Sequence, residues 1–139
     1  MADKLSVAAR SENMRKIRSK GMKPEITIRK LVHSLGYRYR LHKSDLPGKP
    51  DLVFSRLKKI IFVNGCFWHQ HQDSKCHIVR KPKSNLDFWL PKLERTRKRD
   101  EENLLKLSQL GWQSMVIWEC EISRNYELLI KRIKKFLSN

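Results

Sequence analysis

Three cysteines and one histidine occur in this sequence at spacings that suit a metal site. Four residues separate Cys66 from His71, four more separate His71 from Cys76, and Cys120 lies far downstream. Thiolate sulfur and imidazole nitrogen are the donors that zinc binds in tetrahedral structural sites. Cys66 and Cys120 each follow an apolar, strand-like run, so one ion would join two strand ends if both strands ended on the same side of a sheet. The spacing predicts a zinc site, with His77 as an alternative nitrogen ligand and three buried free cysteines as the alternative without a metal.

A carboxylate and an imidazole could carry catalysis. Asp51 follows a Pro-Gly turn and begins a strand, where a carboxylate can hold a hard divalent cation against a phosphate, although a solvated turn aspartate is the commoner case. His69 stands two positions before a candidate zinc ligand, and a histidine held so rigidly can act as a general base; a core or surface histidine is the alternative. Glu25, in the first turn of a predicted helix, has the position of an acid that offsets the helix dipole.

The balance of charge predicts a polyanionic partner. Lysine and arginine number 31 against 14 acidic residues, which gives a net charge of +17 and a pI near 10.2. Such an excess favours binding to nucleic-acid phosphates, with a membrane surface as the competing polyanion. We find no run of ~18 apolar residues and no secretory leader, so we expect neither a membrane-spanning nor an exported protein. Three cysteines cannot form a closed disulfide framework, which agrees with a reducing cytoplasm.

Basic side chains concentrate in two stretches that could follow a phosphate backbone. One includes Arg15 and Lys16, and the other, within a predicted helix, includes Arg95, Arg97 and Lys98. A solvated helix face is the ordinary interpretation of a single such run. Apolar residues set among these charges could wedge between base steps, with core packing as the alternative. These are Met14, Phe67, Trp68 and Trp89.

The elements that position these residues follow from apolar periodicity and turn residues. We expect one domain over residues 1–139, in which residues 1–20 form an arm and a short helix capped by Ser11. Further helices are predicted over 24–36, 86–110 and 129–137, and strands over 37–41, 51–54, 58–63 and 115–118. This order of helix, three strands, helix, strand and helix predicts an α/β fold with a mixed sheet and helices packed on it.

Four motifs lie in order along nearly the whole chain. They are Ser11-Glu12-Asn13-Met14-Arg15, Leu46-Pro47-Gly48-Lys49-Pro50-Asp51, Gly65-Cys66-Phe67-Trp68-His69, and Leu110-Gly111-Trp112 through Trp118-Glu119-Cys120. Together they resemble the very-short-patch-repair (Vsr) DNA mismatch endonucleases. The resemblance implies a restriction-endonuclease-like fold, one structural zinc, and a magnesium-dependent enzyme that nicks the thymine strand at a T:G mismatch left by deamination of 5-methylcytosine. It implies a cytoplasmic monomer that acts on double-stranded DNA, with mismatch-repair proteins as candidate recruiting partners.

The resemblance also implies roles for individual residues. Asp51 matches a carboxylate that binds magnesium, and Val63 would offer its backbone carbonyl to the same ion. His69 matches the catalytic histidine, and Glu25 matches an acid that supports the metal and its water molecules. Three aromatics match side chains that enter the base stack beside the mismatch, and a methionine matches one that enters from the opposite groove. They are Phe67, Trp68, Trp89 and Met14.

Two departures from the family pattern bear on these roles. Val63-Asn64 stands where the pattern has Thr-His, so a backbone carbonyl ligand is kept, but Asn64 cannot exchange protons as histidine does. The loop between His71 and Cys76 is longer than in the pattern. Two other functions are compatible with the same residues: a non-catalytic zinc module that binds DNA structure, and a sequence-specific restriction-type nuclease that cuts perfectly paired duplex.

Overall fold

The computed structural model describes residues 23–41, 45–73 and 76–138. In chain order its elements are α1 (Pro24–Ser34), β1 (Arg40–Leu41), β2 (Leu52–Phe54), a 3₁₀ turn (Ser55–Leu57), β3 (Lys59–Asn64), α2 (Leu86–Gln109), β4 (Gln113–Trp118), α3 (Glu119–Arg124) and α4 (Tyr126–Ser138). The predicted amino-terminal helix lies outside the described residues. Three candidate DNA-contacting residues also lie outside them: Met14, Arg15 and Lys16.

The four strands form one mixed sheet in the order β1-β2-β3-β4. β2 is antiparallel to β1 and to β3, whereas β3 and β4 are parallel. Parallel neighbours need a crossover connection, which α2 supplies between them. Because β3 and β4 run in the same direction, they end at the same edge of the sheet, with Asn64 opposite Trp118. This edge receives the residues of the candidate site.

Side chains alternate between the two faces of the sheet, as the pleat of a strand requires. One face, which includes Ile61 and Ile117, packs against α1 and α4 to form the larger core. The other face, which includes Val53 and Ile60, packs against Leu107 of α2. The predicted mixed sheet with helices packed on it is confirmed. No helix in the described part of the chain is both long enough and apolar enough to cross a membrane.

Two local predictions are corrected. The strand predicted over 37–41 is too long, because only Arg40–Leu41 pairs with β2. Tyr37 and Tyr39 pack against the larger core without strand pairing. Phe54, the last residue of β2, meets Tyr39 only through an edge-on ring contact with centroids 6.2 Å apart, and the 3₁₀ turn after it offers no strand partners further along. A short helix, α3, begins directly after β4 and was not predicted, since six residues are too few for a helical period to stand out.

Candidate functional site

Three cysteines and one histidine meet at the shared end of β3 and β4. Cys66 lies two residues after β3, and Cys120 lies in α3, two residues after β4. The loop that follows Cys66 returns His71, whose Nδ1 lies 3.7 Å from the Cys66 sulfur and 3.4 Å from the Cys120 sulfur. With Cys76, the four potential ligand atoms all lie within 4.8 Å of one another. We call these four residues the Cys/His cluster.

The donor set and the size of the Cys/His cluster fit a zinc ion. A tetrahedral zinc with Zn–S bonds of about 2.3 Å places its ligands roughly 3.8 Å apart, close to the observed separations. The alternative ligand His77 lies outside the cluster, where its Nε2 is 3.1 Å from the Ser123 hydroxyl. The geometry therefore favours His71 over His77 as the nitrogen ligand of any bound ion.

Burial governs protonation within the cluster. It raises the pKa of the Cys66 thiol and of the Cys120 thiol, and it lowers the pKa of the His71 imidazole. At Cys76 burial acts to raise the pKa, but backbone hydrogen bonds, led by the one from Val79, and the neighbouring thiols lower that pKa overall. Neutral imidazole is the form that binds metals, and a divalent cation is the charge that allows crowded thiols to ionise.

The loop after β3 is held by its own backbone and by the element that follows β4. The His71 N–H donates to the Cys66 carbonyl at 3.0 Å, and the Cys66 N–H donates to Glu119 Oε1 at 3.4 Å. The His71 ring also stacks on Trp118, with centroids 4.1 Å apart and planes 9° from parallel. The same indole lies edge-on to His69 at 6.3 Å. Trp118 thus contacts both a cluster residue and a candidate catalytic residue.

Four aromatic side chains form a second group on the other side of this loop. We define the aromatic cluster as Phe67 and Trp68 from the loop with Phe88 and Trp89 from the first turn of α2. Neighbouring ring centroids lie 5.1–5.7 Å apart. Trp68 is 51% exposed and Phe88 is 58% exposed. The Lys92 ammonium lies 5.3–5.7 Å from three of the ring centroids. The four rings pack on each other; Trp68 and Phe88 face solvent, whereas Phe67 and Trp89 are partly buried.

A cavity of about 190 Å³ lies between the end of β3 and α2. Asp51 and His69 both line it. Asp51 accepts a hydrogen bond from the Val63 backbone N–H at 2.7 Å, which ties the carboxylate to the neighbouring strand. His69 Nδ1 lies 2.5 Å from Asp100 Oδ2. Asn64 is buried at the same cavity. The structure therefore brings together a carboxylate, a strand end and a histidine–carboxylate pair.

The remaining predicted residues within the described part of the chain do not line the cavity. Glu25 does not belong to its lining, and its Oε1 accepts a hydrogen bond from Arg29 at 3.0 Å. The basic residues of α2 are exposed, and Arg97 donates to both carboxylate oxygens of Glu94 at 2.9 Å. The other two basic residues of α2 that the sequence singled out, Arg95 and Lys98, are exposed as well.

Sequence reasoning missed Asp100. Asp100 directly follows a run of basic residues, so the whole segment was interpreted as a basic stretch. Its helical position is the signal that could have identified it: Asn103, Leu104 and Leu107 follow at offsets of three, four and seven, and all three contact the cavity or the smaller core. An acid on the inward face of an amphipathic helix is unusual and indicates a partner or a function.

The chain is similar to proteins of known family. A family model described as DNA mismatch endonuclease Vsr matches residues 2–75. The type II nicking enzyme V.XorIIP of Xanthomonas oryzae pv. oryzae is 48% identical over 123 residues, which cover 88% of this chain and 88% of that protein. The type II nicking enzyme V.NmeAIP of Neisseria meningitidis is 40% identical over 99% of this chain and 95% of its own length. The DNA mismatch endonuclease Vsr of Escherichia coli is 33% identical over 99% of this chain and 88% of its own length.

Proposed function

The chain belongs to the Vsr family of DNA mismatch endonucleases, and on this premise we propose that it nicks the thymine strand of double-stranded DNA at T:G mismatches that arise from 5-methylcytosine deamination. The observation that carries the proposal is the cavity in which Asp51 lies with the His69–Asp100 pair, beside an exposed aromatic cluster. Two of the relatives are named as nicking enzymes and one as a mismatch endonuclease. A strand-specific cut at a mispaired step agrees with both names.

Asp51 is the residue best suited to bind magnesium. Its carboxylate lies at the cavity and accepts a hydrogen bond from the Val63 N–H. That N–H therefore points to the side of β3 on which Asp51 lies. In an extended strand the N–H and C=O of one residue face the same neighbour, so the Val63 carbonyl is directed to that side as well. Carboxylate and carbonyl oxygens are ligands that magnesium prefers. When bound there, magnesium would polarise the scissile phosphate and stabilise the leaving oxygen.

His69 and Asp100 are positioned for proton transfer. Because His69 Nδ1 is held by Asp100, its Nε2 is the nitrogen left to accept a proton from water. The water oxygen would then bond to phosphorus as the bond from phosphorus to one bridging oxygen breaks, and that oxygen takes up a proton. Asp100 would keep the ring in one tautomer and stabilise the imidazolium. Asn64 can orient a water or phosphate oxygen through its amide. Glu25 remains a predicted supporting acid.

The Cys/His cluster would hold zinc in a structural role. Its residues come from a loop and from α3, so an ion there would tie together the ends of β3 and β4. The loop between two of these ligands carries His69 on the cavity side and Phe67 and Trp68 on the solvent side. A rigid loop would keep both functions in place.

The aromatic cluster would recognise the mismatch by entering the base stack. Separating two base pairs costs a few kcal/mol of unstacking, and the cost is lower where pairing is already defective. A T:G wobble is such a place. The exposed basic side chains of α2 would bind flanking phosphates, together with Arg15 and Lys16. Met14 is proposed to enter from the opposite groove.

We extend the proposal to the fold and to the oligomeric state. A carboxylate at the start of one antiparallel strand, facing the end of the next, agrees with a restriction-endonuclease-like fold built as one domain over residues 1–139. We propose that the protein acts as a monomer, since one chain carries both the candidate catalytic residues and the aromatic cluster.

The decisive experiment is strand-resolved cleavage of two duplexes that differ only in carrying a T:G or a T:A pair, each with magnesium or with a chelator. We expect a nick only in the thymine strand, only at T:G and only with magnesium. Asp51→Asn should reduce nicking by about 10³-fold or more, because it removes a charged metal ligand, and should leave duplex binding intact. The control is Asp45→Asn, an exposed acid in the same connection that does not line the cavity.

The other outcomes identify other functions. Cleavage of T:A duplex at one sequence would indicate a restriction-type nuclease. Binding to T:G without cleavage under any divalent metal would indicate a non-catalytic module. Full activity in Asp51→Asn would overturn the assignment of the site.

A further inference from the structure

The turn that leads into β2 ends in a lysine with an unusual backbone conformation. Leu46 to Lys49 form a turn closed by the Lys49 N–H, which donates to the Leu46 carbonyl at 3.1 Å. Pro47 and Gly48 occupy its central positions, and Gly48 has φ +78°, as the third residue of a type II turn requires. A Cβ added to Gly48 would lie 3.1–3.2 Å from Asn103 and from Phe62. The turn is therefore held closely against α2 and β3.

Lys49 follows with φ +48°. Left-handed backbone is unfavourable for a residue with a Cβ, and Pro50 after it further restricts the conformations that Lys49 can adopt. Glycine would fit this position without steric strain. Strained residues persist where the surrounding structure imposes them, and they concentrate at functional sites. The conformation of Lys49 therefore requires an explanation beyond the turn.

Lys49 lines the same cavity as Asp51 and His69. The lining contains two carboxylates, those of Asp51 and Asp100, and Lys49 is its one lysine or arginine in the described part of the chain. A phosphodiester carries a negative charge, so both carboxylates oppose its entry. A fixed cation at the cavity reduces that repulsion and attracts the phosphate.

We propose that Lys49 is a further catalytic residue, whose ammonium contacts a non-bridging oxygen of the scissile phosphodiester. The inference rests on the proposed function, since it assigns a role in the same reaction. Charge on the phosphate oxygens changes as the new bond to phosphorus forms, and a preorganised cation at those oxygens stabilises the transition state. The strained turn carries the lysine because the site needs its charge at this position.

Two lysine-to-glycine substitutions test this inference with matched backbones. Lys58 also has positive φ, at +55°, but it lies in the turn before β3, with its ammonium 4.6 Å from the Trp112 ring centroid and outside the cavity lining. Glycine relaxes the backbone in both variants. Under single-turnover conditions with saturating enzyme, Lys49→Gly should nick T:G duplex about 10²–10³-fold more slowly, whereas Lys58→Gly should keep the wild-type rate.

Further variants separate charge from backbone. Lys49→Gln should lose activity as Lys49→Gly does, and Lys49→Arg should recover most of it, because a cation is restored. Thermal melting of all variants should show that each is folded. If Lys49→Gly weakens duplex affinity while the saturated rate stays at the wild-type value, the lysine is only a binding contact and the inference is wrong.

The outcomes also distinguish this inference from the proposed function. If wild-type protein fails to nick T:G duplex, the proposed function is wrong. If wild-type protein nicks and Lys49→Gly and Lys49→Gln nick equally fast, only the role of Lys49 is wrong.

Discussion

The loop after β3 has two sides that differ sharply in burial. Cys66 is fully buried in the Cys/His cluster, whereas Trp68, two residues on, exposes half of its surface. The ligand atoms of the buried side converge to within 4.8 Å, whereas the rings of the exposed side pack on one another in edge-on and tilted contacts. A large aromatic normally gains more by entering the core. Its display here agrees with the proposed division of roles, in which the buried side stabilises the loop and the exposed side binds DNA.

The sharpest test of this contrast is removal of a cluster residue. We expect Cys120→Ser to lose bound zinc and to lower the free energy of unfolding by more than about 4 kcal/mol, the range that indicates loss of a metal or an unpaired buried group. Metal analysis and thermal melting measure the two effects. Wild-type protein that is stable and free of zinc would show that the cluster has another role.

The histidines provide the control for that experiment. His71→Ala should also lose zinc, because its Nδ1 faces two cluster sulfurs. His77→Ala should retain one zinc per chain, since the His77 Nε2 contacts the Ser123 hydroxyl outside the cluster. The reverse result would mean that the loop rearranges when the metal binds.

Removal of the exposed Trp68 indole should have the reverse effect: it should slow nicking and leave stability and zinc content nearly unchanged. Stacking of an aromatic side chain on a base contributes ~1–3 kcal/mol, so Trp68→Ala should slow T:G nicking by roughly 5–150-fold. Because the ring is half exposed, its loss should change unfolding free energy far less than the ~3–5 kcal/mol typical of a buried tryptophan. Zinc content should not change. A large fall in melting temperature would instead identify Trp68 as a structural residue.

Trp112 supplies the matched tryptophan control. It packs against the smaller core at the opposite end of β4. Trp112→Ala should lower the melting temperature, while the folded fraction keeps its preference for T:G over T:A.

Trp118 lies between the two sides and should show an intermediate effect. It stacks on His71 and contacts the edge of His69. Substitution of a residue that supports a metal ligand typically lowers metal affinity by ~10–100-fold. We therefore expect Trp118→Ala to weaken zinc binding and to slow the saturated nicking rate, with little change in duplex affinity. Trp118→Phe should restore part of both, since a ring remains to stack. An unchanged nicking rate would remove the proposed link to His69.

The smallest effect on mismatch preference is expected from the basic face of α2. Combining Arg95→Ala, Arg97→Ala and Lys98→Ala should weaken binding to T:G and T:A duplexes alike and flatten the salt dependence, because phosphate contacts carry no sequence information. The control removes the same charge from α4 through Lys131→Ala, Lys134→Ala and Lys135→Ala. A selective loss of T:G preference in the first triple would mean that its side chains contact bases.

The sequence predicted helices correctly where an apolar period continued over several turns. It failed where strand pairing determined whether residues form a strand. The proline at the start of α1 and the apolar period of α2 were sufficient to predict both helices. The alternation of Tyr37 and Tyr39 with arginines predicted a strand, but a strand also needs a partner, and only Arg40 and Leu41 pair with β2, which is followed directly by a 3₁₀ turn. Asp100 was missed because its partner in the structure, His69, is distant in sequence.

The residue types and local spacings alone determined the candidate metal donors, the basic excess and the aromatic residues, because these properties belong to side chains or to near neighbours. Only the tertiary structure decided which histidine joins the cysteines, which acid holds His69, and whether Trp68 is buried or displayed. The physical reason is the parallel pairing of β3 with β4, which places Asn64 beside Trp118 and so brings Cys66 near Cys120. No local pattern specifies that register, because it depends on how the whole sheet packs against its helices.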